Sequence, residues 1–68
     1  MAKFHVRLRE IRMNRHKTQS QTAEMLGIKL RSYQLYEQGK VEPSIAKLIA
    51  LANYLDVTLD YLMGRTDS

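Results

Sequence analysis

The sequence predicts an all-α fold of five short helices and no strands. Two observations carry this. Apolar residues recur at helical spacing throughout, and helix-starting Thr or Ser residues alternate with helix-stopping glycines: Thr18 before Gly27, Ser44 and Thr58 before Gly64, with Gly39 between. At 68 residues the chain forms one small domain, and such a domain buries only about 60% of its unfolded surface. It has no cysteine, so neither a disulfide framework nor a zinc–thiolate site stabilises it.

The first helix is predicted from Lys3 to about Arg15. Phe4, Leu8 and Ile11 form one face; Arg7, Arg9 and Glu10 lie off it, and Arg12 lies close beside it. Val6 and Met13 are expected as isolated surface apolar residues. The second helix begins at Thr18, where Thr18-Gln19-Ser20-Gln21 spells a capping box. It carries Ala23, Met25 and Leu26 inward and ends at Gly27 in a left-handed conformation. The third spans Leu30 to Gln38 and is closed by Gly39. Lys29 cannot accept from its free amides, so this helix depends on tertiary packing. The fourth follows Pro43 with Ser44 as its cap. Its apolar face is read as Ile45, Leu48, Ile49, Ala52 and Leu55, making it the central core helix. The fifth is capped by Thr58, has Asp60 in its first turn, and is stapled by Val57 and Leu62. The domain is thus read as residues 3–64, with 65–68 a tail or the start of a linker.

Charge is placed unevenly. The net charge is +4, but Met1 to Lys40 holds nine Lys/Arg against three acids, whereas Val41 to Ser68 holds two against four. A basic front and a faintly acidic back suit one-sided contact with a polyanion. No apolar run approaches the about 18 residues a membrane span needs, and no signal-peptide pattern opens the chain. A cytoplasmic protein without membrane association is expected. The two histidines, His5 and His16, lack i, i+4 spacing and an accompanying carboxylate cluster, so no metal site is expected. No phosphate loop, nucleophile elbow or paired-acid arrangement occurs, and the chain is read as neither an enzyme nor a cofactor binder.

The third helix concentrates the informative chemistry. Each helical residue turns about 100°. Tyr33 and Tyr36 therefore mark a buried side; Arg31 and Gln38 sit opposite, flanked by Gln34 and Leu35, with Glu37 near the core edge. Arg and Gln are the side chains that pair with guanine and adenine edges in the major groove, and an exposed Leu can meet a thymine methyl.

The stretch TQSQTAEMLGIKLRSYQLYEQGKVEPS resembles the helix-turn-helix of the lambda-repressor and Cro class, also called the xenobiotic-response-element family. The resemblance extends through SIAKLIALANYLDVTLDYLMGRTD and back to LREIR. It implies a compact five-helix, lambda-repressor-like DNA-binding domain with the motif as helices 2 and 3. The implied protein is a bacterial or phage-encoded transcriptional regulator, a repressor, binding double-stranded DNA as a homodimer on a palindromic operator. By matching positions, Gln19 is implied to clamp a phosphate at the start of helix 2. Leu30, Arg31 and Leu35 fall at base-reading positions, and Gln34 joins them by its place on the helix. Ser32, Gln38 and Lys40 match phosphate-contacting positions, and Lys29 is a further candidate. Arg12 and Glu37 match a structural ion pair.

The chain departs from the family in three places. Leu30 and Leu35 stand where polar residues are usual, which shifts base reading towards Arg31 and Gln34. Lys29 replaces a Ser or Thr cap. Lys17 and Thr22 replace an apolar staple, predicting a weaker anchor where helix 2 begins. The two leucines also motivate an alternative function, a protein-interaction module such as an antitoxin or phage-derived adaptor on the same fold. Val57, Leu59, Tyr61 and Met63 are the expected dimer surface or else core, with Leu59 and Leu62 expected in the core.

Overall fold

The computed structural model describes residues 3–65. Five helices follow in order: α1 (Phe4–Asn14), α2 (Gln19–Leu26), α3 (Leu30–Glu37), α4 (Ile45–Leu55) and α5 (Leu59–Leu62). There is no strand among the described residues, so the five-helix expectation holds. The tail expected beyond Arg65 lies outside the described residues.

Helix α2 lies against both α3 and α4, α1 against α3 and α5, and α4 against α5. The residues that meet are apolar: Leu8 and Ile11 from α1, Ala23 from α2, Tyr33 and Tyr36 from α3, Leu51, Ala52 and Leu55 from α4, and Leu62 from α5. Burying each leucine stabilises the fold by about 1.5–3 kcal/mol. The two tyrosine rings meet edge to face with centroids 6.2 Å apart, the arrangement their quadrupoles favour. Val6 and Met13 are exposed.

Two core expectations are corrected. The buried face of α4 is Leu51, Ala52 and Leu55, with Leu48 partly covered. Ile45 is 73% exposed and Ile49 47%. The helix IAKLIALANYL is apolar nearly all round, so two overlapping stripes fit its period equally well. The one that meets α2 and α5 is rotated away from Ile45 and Ile49. Leu59, expected in the core, is 38% exposed, whereas Leu62 is fully buried.

The helix ends follow from local chemistry. Thr18 Oγ1 accepts from the Gln21 amide at 3.0 Å and Gln21 Oε1 accepts from the Thr18 amide at 2.9 Å, completing the capping box. Ser44 and Thr58 cap α4 and α5 through the amides of Lys47 and Tyr61. Lys29 makes no side-chain cap. Helix α2 ends in a Schellman turn, with Ile28 N–H donating to Ala23 O and Gly27 N–H to Glu24 O. The same pair of bonds closes α1 at His16 and α4 at Asp56, both left-handed without being glycine.

The start of α2 is held by polar contacts where the apolar staple is missing. Arg12 Nη1 donates to the Lys17 carbonyl at 2.8 Å, Thr22 Oγ1 donates to the Thr18 carbonyl at 2.9 Å, and Lys17 Nζ lies 5.2 Å from the centre of the Tyr54 ring. The weaker anchor predicted from Lys17 and Thr22 is therefore compensated.

Gly27 and Gly39 share a left-handed backbone, φ 70° and 75°, but not surroundings. A Cβ at Gly27 meets nothing within 4 Å, whereas one at Gly39 falls 2.8–3.0 Å from ring atoms of His5. Gly27→Ala should therefore lose only the about 1–2 kcal/mol of left-handed strain, and Gly39→Ala distinctly more. In a His5→Ala background the two should converge. Urea unfolding of the variants measures the difference; equal losses with His5 present would contradict the clash.

Candidate nucleic-acid interface

Two elements build the surface: the first turn of α2 and the outward face of α3. The left-handed Gly27 ends α2 sharply, and α3 then runs across it. The burial of Tyr33 and Tyr36 fixes which side of α3 faces out. Lys29, Arg31, Gln38 and Lys40 are exposed, Leu30 is 40% exposed, and Ser32, Gln34 and Leu35 are half-buried. Leu35 is thus less available than the exposed residue read from the sequence. The side chains of Arg31, Lys29 and Lys40 make no hydrogen bond or ion pair among the described residues.

Beneath this face lies a buried polar cluster. Glu37, the only acid of α3, is 8% exposed, and Arg12 is 9% exposed. Arg12 Nε donates to Glu37 Oε2 at 2.6 Å and Nη2 to Oε1 at 3.2 Å, a two-pronged pair joining α1 to α3. The Tyr33 hydroxyl donates to Oε2 as well, and Gln19 Nε2 donates to Oε1 at 3.1 Å. Gln34 Nε2 in turn donates to Gln19 Oε1 at 3.4 Å. Gln19, expected as a phosphate clamp, is thus held at both ends of its amide, with one N–H to spare.

Burial by itself would raise the Glu37 carboxyl. The hydrogen bonds from Arg12, Tyr33 and Gln19, with the Arg12 charge, outweigh it and hold the group below its ordinary value. Burial, and then the bond to Glu37, push the Tyr33 hydroxyl well above its ordinary value. The bond to Glu37 likewise holds Arg12 in its charged form. The signs are opposite for the two acids. The lowered Glu37 stabilises the fold above its unfolded pKa of about 4.3, and that stability is lost as pH falls through the folded value. The raised Tyr33 stabilises below about pH 10 and loses its contribution as pH rises beyond it. Urea midpoints should therefore decline at both extremes, with a smaller acid decline in Glu37→Gln; a flat profile would contradict the cluster.

Sequence reasoning missed some neighbours. Arg9 and Met13 of α1 line the same shallow groove as Gln19, Gln34 and Gln38, with Arg12 and Glu37 at its floor. A second depression brings Leu30 beside Thr18, Gln19 and Ser20. Only the basic charge of Arg9 was a signal, since its place on α1 says nothing about α3.

A short amphipathic helix presented by a second helix across a glycine turn, with its basic and amide face outward and its acid neutralised inside, defines a helix-turn-helix domain. Comparison with known proteins agrees: the helix-turn-helix family model matches residues 8–62, and the chain belongs to that family. It is 43% identical over 61 residues to the uncharacterized HTH-type transcriptional regulator YobD of Bacillus subtilis, covering 90% of this chain and 54% of that protein. It is 40% identical over 63 residues to the cryptic phage CTXphi transcriptional repressor RstR of Vibrio cholerae, covering 93% of this chain and 56% of that one. The crystal structure of a transcriptional regulator from Listeria innocua superposes with a TM-score of 0.86 at 30% identity, over 97% of this chain and 62% of that one. The chain spans about half the length of the curated relatives it matches. No helix among the described residues is long and apolar enough to cross a membrane.

Proposed function

We propose that this chain is the DNA-binding domain, residues 3–64, of a cytoplasmic transcriptional regulator, acting as a repressor. It binds double-stranded DNA with α3 in the major groove, and its role is recognition rather than catalysis. The observation that carries this reading is the sorting of charge on α3. Its one acid is buried and paired with Arg12, while Arg31 and the flanking Lys29 and Lys40 stand exposed and unpaired among the described residues. The relatives named as regulators and a phage repressor support it.

Arg31 and Gln34 supply the polar base contacts, with Leu30 and the half-buried Leu35 beside them for thymine methyls. Lys29, Ser32, Gln38, Lys40 and the spare Gln19 N–H face the phosphates. One short helix reads only a few base pairs, so two copies on a palindromic operator supply specificity. Leu59 and Met63, both partly exposed on and just after α5, form the surface where the copies meet.

Two copies placing Lys29 and Lys40 on phosphates neutralise four charges. Counterion release then predicts a log–log salt slope of about −4 and a loss of roughly 10²-fold in affinity between about 50 and 200 mM salt. A fluorescence-anisotropy titration of a labelled duplex measures it. A slope near zero would point instead to a protein partner for Leu30 and Leu35.

A further inference from the structure

The chain of hydrogen bonds that ends at Gln34 has a direction, and the direction is chemically forced. A carboxylate such as Glu37 only accepts hydrogen bonds. It is held ionised by Arg12, and both its oxygens are engaged. Gln19 can therefore meet it only through Nε2, at 3.1 Å. That leaves Gln19 Oε1, also acceptor-only, turned towards Gln34. Gln34 can meet an acceptor only through its own Nε2, at 3.4 Å. The Gln34 carbonyl oxygen, with no partner among the described residues, is the end of the relay.

We propose that this relay fixes the polarity of the Gln34 amide, so that Gln34 presents its oxygen to the DNA and selects a base carrying an exocyclic amine. Gln19 is the positioning residue, acting through Gln34. In the major groove adenine N6 and cytosine N4 are donors, whereas guanine O6 and thymine O4 are acceptors. An outward oxygen is satisfied by the first two and repelled by the others. Adenine is favoured, because the second N–H of Gln34 can also reach its N7. An unrestrained glutamine can turn its amide over and accept any of the four bases; one tied through Gln19 to a buried carboxylate cannot without breaking a bond. The inference rests on the DNA-binding reading above and gives one position of the recognition helix a defined chemical preference.

The experiment is selection of bound duplexes from a random-sequence pool by the wild-type chain, Gln19→Ala, Gln34→Ala and Gln34→Glu. The base position read by Gln34 is the one whose preference disappears in Gln34→Ala. There the wild type should prefer adenine, then cytosine, over guanine and thymine by about tenfold or more. Gln19→Ala should relax that same position to within about threefold while leaving the others intact, a change that neither unfolding nor the removal of a phosphate anchor produces. Gln34→Glu, with acceptors only, should turn the preference to cytosine. The proposal is overturned if the position prefers guanine or thymine, if Gln34→Ala erases no position, or if Gln19→Ala weakens all sequences evenly and leaves the Gln34 position unchanged. Selection of no motif by the wild type would overturn the DNA-binding reading with it.

Discussion

Replacing Glu37 by leucine should destabilise the domain by about 3–5 kcal/mol. The reason is what remains behind. The Arg12 guanidinium, 9% exposed, would keep its bond to the Lys17 carbonyl but lose both prongs to Glu37. The Tyr33 hydroxyl would lose its acceptor in the core, and Gln19 its inward partner. A 68-residue domain has a total stability of only about 3–10 kcal/mol on the usual per-residue scale, so one stranded charge consumes a large share of it. Arg12→Met should be damaging for the mirror-image reason. The double replacement Arg12→Met with Glu37→Leu should recover much of the loss, because neither charge is then buried alone. Urea unfolding of the four proteins closes the double-mutant cycle. A Glu37→Leu protein with wild-type stability would mean that the pair contributes nothing to holding α3 against α1.

Arg31→Ala should leave folding untouched and damage recognition. The Arg31 side chain is exposed and makes no hydrogen bond or ion pair among the described residues, so its removal strands no buried group. On a selected duplex the loss should be about 1–3 kcal/mol, from roughly fivefold to over a hundredfold, with specificity relaxed at the base it reads. On a scrambled duplex the loss should be small. Lys40→Ala supplies the contrast: without its ammonium on a phosphate, both duplexes should bind more weakly by the same factor, and the salt slope should fall by about one unit per copy. Wild-type discrimination by Arg31→Ala would remove that residue from the reading face.

Much of the scaffold was legible because it is encoded locally. The capping box at Thr18, the caps at Ser44 and Thr58 and the glycines at 27, 39 and 64 mark helix ends by chemistry that a few neighbouring residues decide. The side of α3 that turns inward could be read because its two aromatic residues, Tyr33 and Tyr36, fall on one face of the helix. The face of α4 could not, because a helix with apolar residues nearly all round carries no internal reference, and only α2 and α5 choose between its stripes. Leu59 was misplaced for a related reason: a four-residue helix is too short for its period to separate Leu59 from Leu62. The positions of Arg12 and Glu37 suggested an ion pair through family likeness. The extension of that cluster to Tyr33, Gln19 and Gln34 joins residues up to 18 positions apart and follows only from the packing of α1, α2 and α3. The same packing brings Arg9 and Met13 to the edge of the groove.

The most direct test of the central claim, that the outward face of α3 reads double-stranded DNA, is selection of duplexes from a random pool by the wild-type chain at moderate salt. The predicted result is a palindromic motif whose half-sites lie about one helical turn apart, enriched reproducibly and relaxed at one position of each half-site with Arg31→Ala. Recovery of an unenriched pool, or of the same motif by wild type and Arg31→Ala alike, would contradict it.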